Sequence, residues 1–343
     1  MGNTPFEPYL EAVEEAMRTL LVTPSSEVEP LYGMLRYHLG WIDASLRSAP
    51  SSRGKRVRPL ICLLACQASG GSWRSAVPLA AGIEFVHNFS LIHDDIEDGS
   101  PTRRHRPTVW ATWGVPQAIN AGDAMFTLAR LAVHRLPEQG VPPDVVLAVL
   151  HRVEETCLAL CRGQYMDMAF ETARDVTLAS YMAMIEGKTA ALIACAAETG
   201  ALIGAGLDGP HAAFRRFGHE LGLAFQIVDD ILGIWGDPAV TGKPAADDLR
   251  SRKKAFPILH TLEAMAARGD PRLEALLAQP SLSEDDVAQA LACLEMAGTR
   301  ERANELAAQH TERALAALDE AAPPSDAREA LRSLALSLVG RDR

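Results

Sequence analysis

The sequence predicts an all-α protein, and three observations carry that prediction. Apolar residues recur at helical spacing over most of the chain. Sustained period-two alternation is missing, and Val and Thr are scattered rather than clustered as strands require. Gly and Pro clusters punctuate the helical stretches: Gly70-Gly71, Gly99-Ser100-Pro101, the Pro137 to Pro143 segment, Gly204 to Pro210 and Gly236-Asp237-Pro238. Between them the predicted helices run over 60–68, 77–98, 117–135, 144–169, 178–199, 211–234 and 254–267. Several are apolar on more than one face, as central members of a bundle are. Another starts at Ser283, a cap residue followed three positions later by Asp286. Residues 1 to about 50 and 270–343 are Ala-Glu-Arg-rich amphipathic patterns and are expected at the periphery. No linker divides the chain, so a single domain over 1–343 is predicted.

With 48% hydrophobic and 22% charged residues, the chain can bury a large core. Its net charge of -11, from 33 basic and 44 acidic side chains, excludes a general nucleic-acid binder. Cys62 and Cys66, like Cys157 and Cys161, are four apart and share a helix face. That is not zinc-ligand spacing, and the cysteines are expected as small core side chains. The N-terminal residues lack a charged-then-apolar-then-small layout, and Phe6 stands where a myristoylation signal needs Ser or Thr. The apolar stretch 190–207 is broken by Glu198 and glycines, so no stable membrane insertion is expected. The predicted location is cytoplasmic, with reduced thiols.

One theme occurs twice: an aspartate pair late in a long apolar helix. Asp94-Asp95-Ile96-Glu97-Asp98 follows a run that includes His87 and Phe89, and Asp229-Asp230-Ile231-Leu232-Gly233 follows Phe225-Gln226. Asp94 and Asp98 lie one turn apart, with Asp95 about 100° round the helix. Such carboxylates repel each other, and at a helix C-terminus they oppose the macrodipole. A solvated helix end would explain one copy; recurrence favours a hard divalent cation with oxygen ligands. Magnesium takes one or two carboxylates and completes its shell with water and phosphate, so an incomplete protein cage suits a diphosphate site.

Cations gather beside these motifs in an otherwise acidic chain. Arg103, Arg104 and Arg106 follow the first, Lys55, Arg56 and Arg58 precede it, and Lys188-Thr189, Lys243 and Arg252-Lys253-Lys254 accompany the second. Arginine binds phosphate bidentately and lysine as a point charge. Arg56, Arg106, Arg250 and Arg252 read as neutralising neighbouring acids. Lys55, Arg58, Arg103 and Arg104 read as ligand-binding, because Gly54 and two prolines fix their loops. His87, seven residues before Asp94, lies almost on its helix face and points toward the same site.

These segments resemble the trans-isoprenyl diphosphate synthase (polyprenyl synthetase) family. The matching pieces are GKRVRP at 54–59, HNFSLIHDDIEDGSPTRRHRPTVW at 87–110, GQYMDMAFE at 163–171, GKTAAL at 187–192 and FQIVDDILGIWGDPAVTGKPAADDLRSRKKAFP at 225–257, in the family's order. The resemblance implies a helical bundle around a deep central cavity, as a homodimer, with the two motifs facing each other across the cavity mouth. It implies three Mg²⁺ ions held with an allylic diphosphate by Asp94, Asp95, Asp98 and Asp229, with Asp230 close by. Arg103, Lys188, Thr189, Gln226, Lys243 and Lys253 resemble the allylic diphosphate contacts. Lys55, Arg58, His87 and Arg104 resemble the isopentenyl diphosphate pocket. The implied reaction is a prenyl transfer: the allylic C–O bond ionises, the isopentenyl double bond attacks the cation, and a proton leaves. Neither a Ser-His-Asp nor a Cys-His constellation is present to supply a nucleophile.

Two departures from the family stand out. Gly233 replaces the third aspartate of the second motif, and Ala255 replaces a threonine. In the family, bulk just before the first motif tracks product length. Here Phe89 is five residues before Asp94 and Ser90 four, without an insertion between the aspartates. That resemblance points to geranylgeranyl diphosphate, with farnesyl and farnesylgeranyl products as neighbours; a Phe89 that only packs between helices is the alternative. A terpene cyclase on the same scaffold would need no isopentenyl pocket, yet Arg58, His87 and Arg104 are present with Lys55. A non-catalytic partner subunit would have eroded motifs, of which Gly233 is the one sign.

Overall fold

A computed structural model describes residues 5–49, 54, 56–173, 175–238 and 244–340. Its helices are α1 (Glu7–Leu20), α2 (Glu29–His38), α3 (Val57–Ala68), α4 (Val77–Glu97), α5 (Val109–Trp113), α6 (Val115–Val133), α7 (Pro143–Thr172), α8 (Leu178–Ile185), α9 (Ala191–Ala205) and α10 (His211–Trp235). They continue with α11 (Asp247–Arg250), α12 (Phe256–Ala266), α13 (Arg272–Leu277), α14 (Glu284–Met296), α15 (Thr299–Ala321) and α16 (Asp326–Val339). The all-α prediction holds. Local chemistry sets many of the ends: Pro78 opens α4 without losing a needed N–H. Ser283 and Asp286 form a reciprocal capping box at α14, as their spacing predicted.

Two differences from the sequence reading bear on function. The stretch 178–199 is not one continuous α-helix, because a π-helical turn over Glu186–Ala190 separates α8 from α9. Such turns concentrate at functional sites. The chain also forms a miniature antiparallel hairpin, β1 (Thr102–Arg103) with β2 (Arg106–Pro107), which no alternating pattern announced.

The molecule groups into two compact units. One comprises Met1–Cys157, Cys195–Arg215 and Glu320–Leu331; the other comprises Leu158–Ala194, Arg216–Asp319 and Arg332–Arg343. The first holds α4 packed on α6, both rich in fully buried alanine, so their backbones can approach closely. The second is built round Tyr181, Leu223, Ile227, Phe256 and Leu259, with Ala303 and Ala307 of α15 closing the cluster. Each large side chain so buried contributes about 1.5–3 kcal/mol.

The thiols are free and mostly buried, but Cys161 is exposed and does not fit the expected core role. Burial pushes the Cys66 thiol up to about 12 and Cys195 up to about 11, which makes both poor nucleophiles. The segments Trp73–Glu97 and Leu178–Ala205 are long and apolar enough to cross a membrane, contrary to the reading of the second from sequence. In each, 72% of the apolar window is buried inside the fold, so core packing accounts for their apolarity.

Candidate active site

The first motif closes α4. Asp95 is 1% exposed, whereas Asp94 is half-buried and Asp98, just past the helix end, is exposed. Arg103 of the hairpin donates through Nε to Asp95 Oδ1 at 2.8 Å. The other Asp95 oxygen, Oδ2, is buried and has no hydrogen-bond partner among the described residues. Burial raises the Asp95 carboxyl above its usual range; Arg103 opposes the rise and Asp98 adds to it.

The hairpin presents Arg104 at a cost. Residues 104 and 105 form its two-residue loop, and both have positive φ, 51° and 61°. Asn-Gly is the usual occupant of such a loop, because non-glycine residues are strained there. Arg-His in this place spends roughly 1–3 kcal/mol per strained residue, and Arg104, exposed overall, sets its guanidinium against Gly54 and the edge of a small cavity. Gly54, at φ +73°, completes the arrangement: a Cβ there would stand 2.8 Å from Arg104 Nη2. Any side chain at 54 would displace the guanidinium.

Behind the hairpin, Arg58 Nη1 of α3 lies 3.4 Å from His87 Nε2 of α4. Burial, then Arg58, Arg104, Arg103 and His38, hold the His87 imidazole well below its ordinary pKa. Burial and the arginines push His38 down to about 3. A small cavity of about 30 Å³, the room of one water, opens among Tyr37, His38, Asp95, Arg103, Arg104 and Arg106. Arg56 instead pairs with Glu84 at 2.5 Å and Glu14 at 3.6 Å.

The two histidines give a pH prediction. Both are depressed, so the unfolded chain takes up protons near pH 6.5 that the folded chain refuses. Stability is full above that value and falls as pH drops below it, by about 1.4 kcal/mol per pH unit for each histidine. Urea unfolding midpoints measured from pH 7 to 5 will fall, and His38→Gln will flatten the slope. An unchanged slope in that variant would remove His38 from the account.

Phe89 is 8% exposed and meets the Phe126 ring of α6 at a centroid distance of 4.6 Å. Its ring also meets the His93 ring edge-on, at 5.9 Å. Ser90 is half-buried and donates to the His87 carbonyl at 2.9 Å.

In the second unit, Asp229 and Asp230 lie on α10. Asp230 is 1% exposed, and protein donors engage both of its oxygens: Tyr181 Oη at 2.5 Å and the Phe256 N–H at 2.9 Å on Oδ2, and Gln226 Nε2 at 3.0 Å on Oδ1. Thr189, on the π turn, donates to Gln226 Oε1 at 2.7 Å, so Thr189, Gln226, Asp230 and Tyr181 form one chain of hydrogen bonds. Lys188, on the same turn, is paired with Asp167 of α7. Gly163 lets the turn lie close on α7, since a Cβ there would be 2.2 Å from the Lys188 nitrogen. Burial disfavours the charge on Lys253, but Asp230, Asp248, Asp167 and Asp229 outweigh it and raise the ammonium pKa. Lys253 therefore stays cationic beside the motif.

The structure thus brings Arg58, His87, Arg103 and Arg104 together with Asp95, and Lys188, Thr189, Gln226 and Lys253 together with Asp229 and Asp230. Lys55 and Lys243 lie outside the described residues. His38, Asp167 and Tyr181 were not singled out from sequence; Asp167 alone had a signal, inside GQYMDMAFE. A larger cavity of about 790 Å³ lies against Val228, Ile231, Leu232 and Trp235, on the face of α10 turned away from Gln226 and Asp229. It is apart from this chemistry.

The donor set fits a hard divalent ion. It consists of carboxylate oxygens, and the orphaned Asp95 Oδ2 offers a buried acceptor at the first motif. Among the described residues no group of three or more His, Cys, Asp or Glu forms a ready cage. Magnesium needs none when water and phosphate complete its shell.

The polyprenyl synthetase profile matches residues 40–294. A geranylgeranyl diphosphate synthase of Mycobacterium tuberculosis is 42% identical over 298 residues, covering 87% of this chain and 84% of its own. A (2E,6E)-farnesyl diphosphate synthase of Mycobacterium bovis is 39% identical over 97% of this chain and 93% of its own. Among solved structures, a geranylgeranyl pyrophosphate synthase of Corynebacterium glutamicum, complexed with isoprenyl diphosphate and magnesium, superposes with a TM-score of 0.82 at 27% identity, over 98% of this chain and all of that one.

Proposed function

The chain belongs to the polyprenyl synthetase family and is a trans-prenyl diphosphate synthase, and we propose that it condenses isopentenyl diphosphate with an allylic diphosphate to make geranylgeranyl diphosphate. The observation that carries this reading is the cationic pocket of Arg58, His87 and Arg104. In a protein of net charge -11, burial first, and then the guanidinium groups of Arg58, Arg104 and Arg103, hold His87 well below its ordinary pKa. Strained backbone and a bare glycine hold Arg104 in place. Such a pocket fits the diphosphate of a second, unionised substrate, which a cyclase would not need.

In this reading Arg58 and Arg104 bind the isopentenyl diphosphate, and His87 donates to it. Arg103, Lys188, Lys243 and Lys253 bind the allylic diphosphate, and their charges favour its departure. Gln226 and Thr189 orient it. Asp94, Asp95, Asp98 and Asp229 would hold magnesium, which when bound neutralises the negative charge on the leaving diphosphate. Asp230, engaged by Tyr181, Gln226 and the Phe256 N–H, fixes the set of α10 against the π turn. The proton lost after attack passes to the released diphosphate.

The test is incubation with Mg²⁺, isopentenyl diphosphate and, separately, dimethylallyl, geranyl and farnesyl diphosphate, followed by dephosphorylation and sizing by mass. Geranylgeraniol is expected, and omitting isopentenyl diphosphate or adding EDTA should abolish it. Farnesol as the end product would keep the reaction and overturn the length assignment. A hydrocarbon made from the allylic diphosphate alone would make the protein a cyclase.

A further inference from the structure

Arg56 is the residue from which α3 starts, and its backbone is left-handed, at φ 48° and ψ 39°. A residue with a side chain is strained there and keeps that conformation only when its surroundings hold it. The holding contact is a buried ion pair: Arg56 is 8% exposed, and its Nη1 donates to Glu84 Oε1 of α4 at 2.5 Å. The same carboxylate oxygen accepts from Asn88 Nδ2 at 2.8 Å, and Asn88 also donates to the Glu84 carbonyl at 2.7 Å. Glu84 is 3% exposed and Asn88 is fully buried. One oxygen thus ties the start of α3 to the turn of α4 that carries His87, the residue next to Asn88 in the chain. Arg58, two residues past Arg56, faces His87 across the same gap. The charge of Glu84 also reaches Arg104: burial and Arg56 lower the pKa of that guanidinium, and Glu84 opposes them.

We propose that Glu84 and Asn88, acting through Arg56, set the separation of Arg58 and His87 and so position the isopentenyl diphosphate pocket. Arg56 touches no substrate in this role. Its guanidinium is taken up by Glu84 and shielded from solvent, which leaves Arg58 and Arg104 to meet the diphosphate. Without the tether, residue 56 relaxes toward an ordinary backbone, and the first turn of α3 moves with it and carries Arg58 away from His87. Glu84 also places a fixed negative charge among crowded guanidinium groups, so they can stay together before the anion arrives. The three are positioning residues. Their contacts adjoin the pocket of the second substrate, so they act on its binding and not on departure of the allylic diphosphate. This inference rests on the assignment of Arg58, His87 and Arg104 to isopentenyl diphosphate.

The experiment measures kcat, the KM of each substrate and calorimetric binding of isopentenyl diphosphate to the full chain, alongside thermal unfolding. Glu84→Gln keeps the shape and removes the charge. It should raise KM and Kd for isopentenyl diphosphate by about 10–100-fold, the size of effect that a displacement of about 1 Å can have. The KM of the allylic diphosphate and kcat should stay near the parent values. Because breaking a buried pair is destabilising, the melting temperature of this variant should fall. Arg56→Met/Glu84→Leu removes both charges, and apolar replacement of a whole buried pair regains stability. That double variant should melt near the parent and still bind isopentenyl diphosphate weakly, which the loss of a merely structural pair would not cause. A parental KM and Kd for isopentenyl diphosphate in either variant overturns the proposal, as does a loss that falls equally on both substrates. Arg58→Gln separates the two levels: if it too leaves isopentenyl diphosphate binding unaltered, the underlying pocket assignment fails, whereas weakened binding in Arg58→Gln beside parental binding in Glu84→Gln removes the Arg56–Glu84 tether alone.

Discussion

Replacing Asp98 by Asn lowers kcat for prenyl transfer by roughly 10²–10³, the size of effect that follows loss of one preorganised charge at a reacting centre, while the fold becomes no less stable. The two halves of this expectation have separate causes. Asp98 follows the last residue of α4, and its N–H bonds back to the Asp94 carbonyl at 2.8 Å. A negative charge there opposes the helix dipole, a penalty of about 0.3–1 kcal/mol. It also repels Asp95, whose carboxyl it helps to raise. Asn removes both penalties and keeps the shape, so the melting temperature should hold or rise. Turnover measured at saturating substrate, with unfolding measured in parallel, decides the matter. A stability loss with unchanged turnover would make Asp98 a structural residue and remove it from the site.

That trade of stability for function marks the part of the site legible from sequence. Asp94, Asp95 and Asp98 are visible because helix periodicity places them on adjacent faces, and like charges so grouped need an explanation. His87 and Gln226 are visible for the same reason, each on the helix that carries its motif. What stayed hidden comes from other elements. His38 reaches the pocket from α2, and Tyr181 reaches Asp230 from α8, with no spacing rule to tie them together. The Arg104-His105 loop is hidden for an energetic reason: its residues are poor choices for the backbone they adopt, so a reading by turn preference passes over it. The π turn is hidden because Glu186 to Ala190 carries only a single glycine, Gly187, which a helical pattern tolerates. It depends on the close approach of Gly163, more than twenty residues earlier in the chain.

Phe89→Ala is expected to lengthen the product beyond geranylgeranyl diphosphate and to destabilise the fold, and the balance between the two effects tests what the ring does. Phe89 is buried on α4 five residues before Asp94, and its ring leans on Phe126. Removing a buried phenyl ring costs about 3–5 kcal/mol when the space stays empty. If that space continues a prenyl-binding cavity, a growing chain can fill it, so a bound long-chain prenyl diphosphate should recover part of the lost stability. Phe126→Ala provides the comparison. Its ring backs Phe89 from α6, so losing it should let Phe89 swing aside and produce a smaller shift to longer products. Phe89→Trp should act in the opposite sense and favour farnesyl diphosphate. Product sizing of the three variants, with melting temperatures taken with and without the long-chain ligand, gives the result. Destabilised variants that keep the parent product would show Phe89 to be packing between α4 and α6 and nothing more, and the limit on chain length would then lie elsewhere in the fold.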